Sequence, residues 1–75
     1  MKYIVDIDNT ICDTHNKDYR RAVPFKDRIA KINYLYDQGH EIHYWTARGS
    51  SSGIDWTELT TAQLKWWGCK YHSLS

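Results

Sequence analysis

Tyr3-Ile4-Val5-Asp6-Ile7-Asp8-Asn9-Thr10 is an apolar, β-branched run that ends in two carboxylates one residue apart. A run of that composition suits a buried strand, and it delivers its acids to the strand's C-terminal tip. In open α/β sheets, ligands bind in the crevice outside the carboxyl ends of the strands. Two carboxylates at such a tip are costly to desolvate unless a cation or a reaction employs them. The spacing by itself also fits a plain turn, with Asp8-Asn9 forming an Asx-type bend.

Outward from this tip, the chain reads as alternating strands and helices. Residues 2–8 are the first expected strand. A connection of about fifteen residues follows, polar and mixed in charge (Asn16, Lys17, Asp18, Arg20, Arg21), and it ends at Pro24. Loops that long inside a compact domain are usually functional. Pro24 suits the first turn of a helix whose apolar stripe is Phe25, Ile29, Ile32 and Tyr36, widened by Leu35. Gly39 is its natural left-handed stop.

Glu41-Ile42-His43-Tyr44-Trp45-Thr46 reads as the second strand, and Ala47 to Gly53 as a turn. Asp55 with Glu58 resembles a capping box that opens a helix running to Trp67 and stopped by Gly68. On a helical projection Trp56, Leu59, Ala62 and Trp66 share one face, with Trp67 at its margin and Leu64 outside it. Cys69 to Leu74 is a short third strand. The order βαβαβ implies an α/β domain over residues 1–75, with three parallel strands joined by right-handed crossovers.

Composition narrows the function classes. Seventy-five residues make one small domain, and chains of about 60 residues bury only roughly 60% of their unfolded surface. Hydrophobic residues at 41% and charged ones at 25% argue against a disordered chain. Four Trp and six Tyr beside one Phe point to surface covered by a partner. Ten Lys+Arg against nine Asp+Glu leave a net charge of +1, which gives no general attraction to nucleic acid or anionic membrane. No apolar segment approaches the roughly 20 residues of a transmembrane helix, and no signal peptide follows Met1. The expectation is a soluble, cytoplasmic protein with Cys12 and Cys69 reduced.

A carboxylate pair at a strand tip has a clear chemical use. One Asp attacks phosphorus while the other protonates the leaving oxygen and then activates water. Mg²⁺ held by carboxylate oxygens offsets the repulsion between the phosphate and its attacker. Thr46 and Arg48, at the neighbouring tip, then hydrogen-bond the phosphoryl oxygens.

Asp6-Ile7-Asp8-Asn9-Thr10 resembles the first motif of the haloacid dehalogenase-like (HAD) phosphohydrolases, Asp-x-Asp-x-Thr. Ile42-His43-Tyr44-Trp45-Thr46-Ala47-Arg48-Gly49 resembles their second, a hydrophobic strand ending in Thr or Ser. From 1 to 75 the chain is similar to the N-terminal half of short, capless members found in bacteria and phages. The resemblance implies a minimal Rossmann-like half fold and a Mg²⁺-dependent phosphatase acting on a phosphorylated substrate. It assigns Asp6 as the nucleophile and Asp8 as the general acid/base. Both are metal ligands, Asp8 through its backbone carbonyl. Thr46 becomes a phosphate ligand, grouped with Arg48 and with Thr10, which braces the acid-bearing loop.

The family's third motif is a Lys or Arg beside the nucleophile, and its fourth an acidic pair that completes the Mg²⁺ shell. Residues 1–75 offer no direct counterpart, since Lys65 projects to solvent and Lys70 lies at the far end of the sheet. Arg48, Lys17, Arg20 or Arg21 are candidate replacements for the cation, and Asp13 or Asp55 for the metal ligand, within one chain or across a subunit boundary. Ser50-Ser51-Ser52-Gly53 reads as an anion cradle before a helix or as a plain turn. In the family, the fourth-motif strand pairs with the first strand on the side away from the second. Without it the first strand is an open edge. The expectation is therefore a homo-oligomer, a dimer or tetramer, in which another copy covers that edge, Leu64 and a surplus Trp.

Two other functions compete: a catalytically weak remnant that binds phosphate or a partner protein, and a phospho-acceptor domain like a response regulator. Cys12-x-x-His15 and Cys69-x-x-His72 carry the ligand types of a zinc site, but Cys69 and His72 would point to opposite faces of a strand. Trp66, Trp67, Lys70 and Tyr71 have the residue types that stack on single-stranded nucleic acid. With so little net charge, packing accounts for them better, and neither a nucleic-acid nor a membrane partner is expected.

Overall fold

The acid-bearing strand β1 (Lys2–Asp6) lies at the edge of a three-stranded sheet, parallel to β4 (Glu41–Trp45), which in turn pairs in parallel with β5 (Ser73–Leu74). This is a computed structural model, and it describes residues 1–50 and 52–75. Helices α1 (Lys26–Asp37) and α2 (Thr57–Trp66) are the two crossovers. The result is the α/β domain with three parallel strands expected from the strand and helix order, a small Rossmann-like half fold.

Both crossovers step in the same direction along the sheet, so right-handed connections place both helices on one face. Burial agrees. Ile42 and Tyr44 point to the helices and are fully buried with Ile7, Ile11, Cys12 and Leu64, and Ile29 is buried beside them. On the opposite face Ile4 is 72% exposed and Trp45 48% exposed. No helix among the described residues is long and apolar enough to cross a membrane.

β1 ends at Asp6, two residues earlier than its apolar run suggests. Asn9 takes a left-handed φ of +63°, and the Thr10 and Ile11 N–H groups both donate to the Ile7 carbonyl at 3.2 and 3.0 Å. The chain thus turns just past the strand and leaves Asp8 on the bend. The long connection that follows is not structureless. β2 (Cys12–Asp13) and β3 (Val23–Pro24) form an antiparallel hairpin enclosing a 3-10 turn at Tyr19–Arg21. Pro24 closes that hairpin instead of opening the helix, and Phe25 stands at the cap of α1. The apolar stripe of α1 faces inward as expected, with Ile29 buried and Ile32, Leu35 and Tyr36 packed on the core. Gly39, at φ +92°, stops it.

α2 departs from its helical projection. Its buried residues are Thr60, Gln63 and Leu64, whereas Trp66 is 73% exposed. Leu64 is covered within the chain, so the expectation that a partner must bury it is corrected. The cause is the buried Arg48, which draws the polar Thr60 and Gln63 inward and rotates Leu64 into the core with them. Asp55 lies before the cap, which is Trp56, and its Oδ1 accepts the Thr57 N–H at 2.9 Å. The third strand is also shorter than expected. The Asn33 side chain donates to the Gly68 carbonyl and accepts the Lys70 N–H, each at 2.8 Å, which pins residues 68–70 to α1 and leaves Ser73–Leu74 to pair.

Candidate functional site

Asp6 and Asp8 are two residues apart and live in different surroundings. Asp6 is the last residue of β1, exposed at the strand tip, and its Oδ1 accepts the Ile7 N–H at 2.9 Å. Asp8 lies past the end of β1, where Arg48 clamps it. Arg48 Nε donates to Asp8 Oδ2 at 3.0 Å and Nη2 to Oδ1 at 2.8 Å, while the Thr14 hydroxyl donates to Oδ1 at 2.8 Å.

The clamp is built into the core. The Arg48 side chain is completely covered. Its Nη1 donates to Gln63 Oε1 at 2.6 Å and to Thr60 Oγ1 at 3.2 Å, and its guanidinium lies 4.8 Å over the Tyr19 ring. Gln63 Nε2 in turn donates to the Tyr19 carbonyl at 2.5 Å. One polar web therefore joins the tip of β1, the loop after β4, the inner face of α2 and the hairpin turn. Arg48 reaches this position because its own N–H donates to Thr46 Oγ1 at 3.0 Å and Gly49 turns at φ +83°. A Cβ on Gly49 would collide with the Ile54 carbonyl.

Burial works to raise the Asp8 pKa, but the hydrogen bonds from Arg48 and Thr14 outweigh it and hold the carboxyl below its usual value. Burial pushes the neighbouring Cys12 thiol up. It also raises Cys69, to about 11, and both cysteines are free.

A cleft of about 230 Å³ opens over the strand tip, lined by Asp6, Asp8, Lys17, Tyr19, Trp45 and Arg48 among others. Thr46 opens onto a different cleft, of about 190 Å³, with Asp55, Thr57 and Ser75; Arg48 borders both. Thr10 contributes through its backbone, its carbonyl accepting Arg28 Nη1 at 3.0 Å. Of the five residues expected at the site, Asp6, Asp8 and Arg48 come together, Thr46 stands next door, and Thr10 braces the turn. The Arg48 guanidinium is directed at Asp8 rather than at an open phosphate position.

Among the candidate replacements, Lys17 lines the cleft of the two acids. The loop that brings it there has two successive left-handed residues, Asn16 at φ +51° and Lys17 at φ +59°, a conformation disfavoured for Lys. Arg20 stacks 5.0 Å from the Trp56 ring and Arg21 lies 3.5 Å from Asp18. Asp13 lies 3.5 Å from His15, and Lys70 pairs with Asp37 at 2.8 Å. Among the described residues no group of three or more His, Cys, Asp or Glu side chains is placed to hold a metal, so the zinc set suggested by the Cys and His spacing is not assembled. Part of the Ser-rich cradle, Ser51, lies outside the described residues.

Thr14, Tyr19, Thr60 and Gln63 complete the site and were not singled out in the sequence. Thr60 and Gln63 are three apart on a helix and so share a face, but that spacing becomes a signal only once Arg48 is known to be buried.

Fold and site together define a small Rossmann-like α/β domain with a clamped acid and an open acid at one strand tip. A crystal structure of a structural-genomics target from Vibrio cholerae is similar, at 27% identity and a TM-score of 0.84, over 97% of this chain and 66% of that one. The chain thus spans just under two thirds of that protein's length. No protein-family model and no curated protein matches it.

Proposed function

We propose that this chain is a phosphomonoester hydrolase of the HAD-like kind, working through an aspartyl-phosphate on Asp6. The observation that carries the proposal is the exposed Asp6 carboxylate at the C-terminal tip of a parallel strand, in one cleft with Asp8 and Lys17. In this reading an Asp6 oxygen attacks phosphorus, the bond to the leaving oxygen breaks, and that oxygen takes a proton. Water then attacks the phosphorus of the acyl-phosphate and returns Asp6 free.

Asp8 is the general acid and base of both steps. Because Arg48 grips both of its oxygens, proton transfer requires the guanidinium to release one of them. Lys17 balances phosphate charge from the hairpin loop, and Thr46 binds a phosphoryl oxygen at the border of the second cleft. Mg²⁺ fits this donor set, since it prefers hard oxygens and is commonly held by one or two carboxylates together with substrate phosphate and water. The Asp6 carboxylate and the Asp8 backbone carbonyl are the groups that would hold it. The chemistry it would supply there is to offset the repulsion between carboxylate and phosphate.

Release of phosphate from an aryl phosphate in the presence of Mg²⁺ tests the proposal. Turnover abolished by Asp6→Asn and by EDTA is the expected result, and equal rates in wild type and Asp6→Asn reject it. One observation favours a second reading, a module that binds phosphate or a protein without turnover: the guanidinium clamp leaves Asp8 ionised and occupied. Calorimetric binding of inorganic phosphate with no hydrolysis would select that reading.

A further inference from the structure

We infer that two copies of this chain join edge to edge through β1, antiparallel about a two-fold axis at Ile4, so that Lys2 of each copy meets Asp6 of the other. Among the described residues β1 pairs only with β4, and its outer edge is open. An open edge of unpaired backbone groups is a template for another strand.

The register follows from which backbone groups are free. The Met1 carbonyl accepts the Glu41 N–H, and the Ile7 N–H donates to the Trp45 carbonyl. In a parallel ladder the residues that bond one neighbour alternate with those that face away. Odd-numbered residues of β1 therefore bond β4, and Lys2, Ile4 and Asp6 turn their N–H and C=O groups to the open edge. A two-fold pairing is centred on one of these three as a hydrogen-bonded pair, or on Tyr3 or Val5 as a non-hydrogen-bonded pair, and the latter two leave Asp6 or Lys2 without a partner within the strand. Centring on Lys2 sets Lys2 against Lys2, and centring on Asp6 sets Asp6 against Asp6. Centring on Ile4 pairs the whole strand, with Ile4 opposite Ile4 and opposite charges facing at both ends. Only that register joins all the free groups without like-charge contact.

The side chains agree with it. Ile4, 72% exposed, meets its equivalent on the helix-free face, while Tyr3 and Val5 meet on the core side. The axis runs normal to the sheet, so β5-β4-β1 of one copy continues into β1-β4-β5 of the other with all helices on one side. The contact is isologous, and it closes as a dimer instead of propagating. It also places the partner's Lys2 beside Asp6, a cation at the open acid of each site. That role rests on the phosphatase reading; the seam does not.

Sedimentation of the full chain over a concentration series tests the seam. Wild type should sediment at twice the 8.9 kDa monomer mass. Lys2→Glu sets a carboxylate against Asp6 at both ends and should weaken the dimer by about tenfold or more. Lys2→Glu combined with Asp6→Lys reverses both charges and should restore it, with circular dichroism confirming that each variant is folded. A wild type that stays monomeric, a Lys2→Glu dimer of unchanged affinity, or a double variant no tighter than Lys2→Glu would each overturn the inference. A monomer that hydrolyses aryl phosphate removes the seam and keeps the phosphatase reading, and a dimer without hydrolysis does the reverse.

Discussion

Replacing Arg48 with Met keeps most of the side chain's length and removes its charge and donors. The guanidinium is fully covered and Asp8 retains 22% of its side-chain exposure. Its loss leaves the Asp8 carboxylate with Thr14 as its main partner, and leaves Gln63 Oε1 and Thr60 Oγ1 without the donor that now satisfies them. Removing one partner of a well-buried ion pair costs about 3–5 kcal/mol. Residual water access to Asp8 lowers that figure, and the stranded Gln63 acceptor adds about 1–3 kcal/mol. The expected loss is roughly 3 kcal/mol, against a total stability of roughly 4–11 kcal/mol for a chain this size at typical values per residue.

Urea unfolding followed by tryptophan fluorescence measures the loss, and Asp8→Asn supplies the second arm of a cycle. Asp8→Asn alone leaves a buried guanidinium without its counter-charge and should also destabilise. In the double variant neither charge is stranded, so its cost should fall short of the sum by about 1–3 kcal/mol. A cost for Arg48→Met below about 1 kcal/mol, or single effects that simply add, would refute a clamp that organises the strand tip.

The face that α2 buries has a direct test: Leu64→Ala should cost about 2–5 kcal/mol in the same urea titration. Trp66→Ala should fall within about 0.5 kcal/mol of wild type, and the opposite ranking would restore the Trp-lined face suggested by side-chain spacing. Acid stability reports on Asp8. A carboxyl whose folded pKa lies below its unfolded value adds stability that is fully present above about pH 4 and is lost as pH falls through the folded pKa. Wild type should therefore lose more urea resistance than Asp8→Asn as pH is lowered from about 5 to about 2, and parallel losses would mean that Asp8 gains nothing from its partners.

The elements legible in the sequence are those decided locally. The β-branched run of β1, the aromatic strand β4 and the apolar stripe of α1 each carry their own periodicity, and Gly39 marks a stop that only its backbone makes easy. The two-residue strands of the hairpin are too short to have a period, so the connection between Asn9 and Pro24 read as a loop. The face of α2 was illegible for another reason. Its apolar residues alone favour a Trp-lined side, but a buried cation overrides them, because leaving Arg48 without Thr60 and Gln63 would strand a charge in the core. The direction of Arg48 had the same ambiguity. A guanidinium suits a carboxylate and a phosphate equally well, and sequence does not say which it meets.

The two acids of Asp6-Ile7-Asp8 are the same residue type and unequal in the fold, and the difference is geometric. Asp6 still belongs to the sheet, so its side chain follows the alternation of β1 onto the helix-free face, beside Trp45. Asp8 lies past the strand's end, where the turn closed by the Thr10 and Ile11 N–H groups brings it against the loop after β4. Among the described residues no ion pair involves Asp6, whereas Asp8 is bound through both oxygens. A nucleophile must be bare to attack, and an acid held by an arginine is poor at giving a proton but good at fixing a loop. The clamp therefore positions the bend on which the cleft is built while leaving the neighbouring carboxylate open. Loosening Arg48 is then the step on which any chemistry by Asp8 depends.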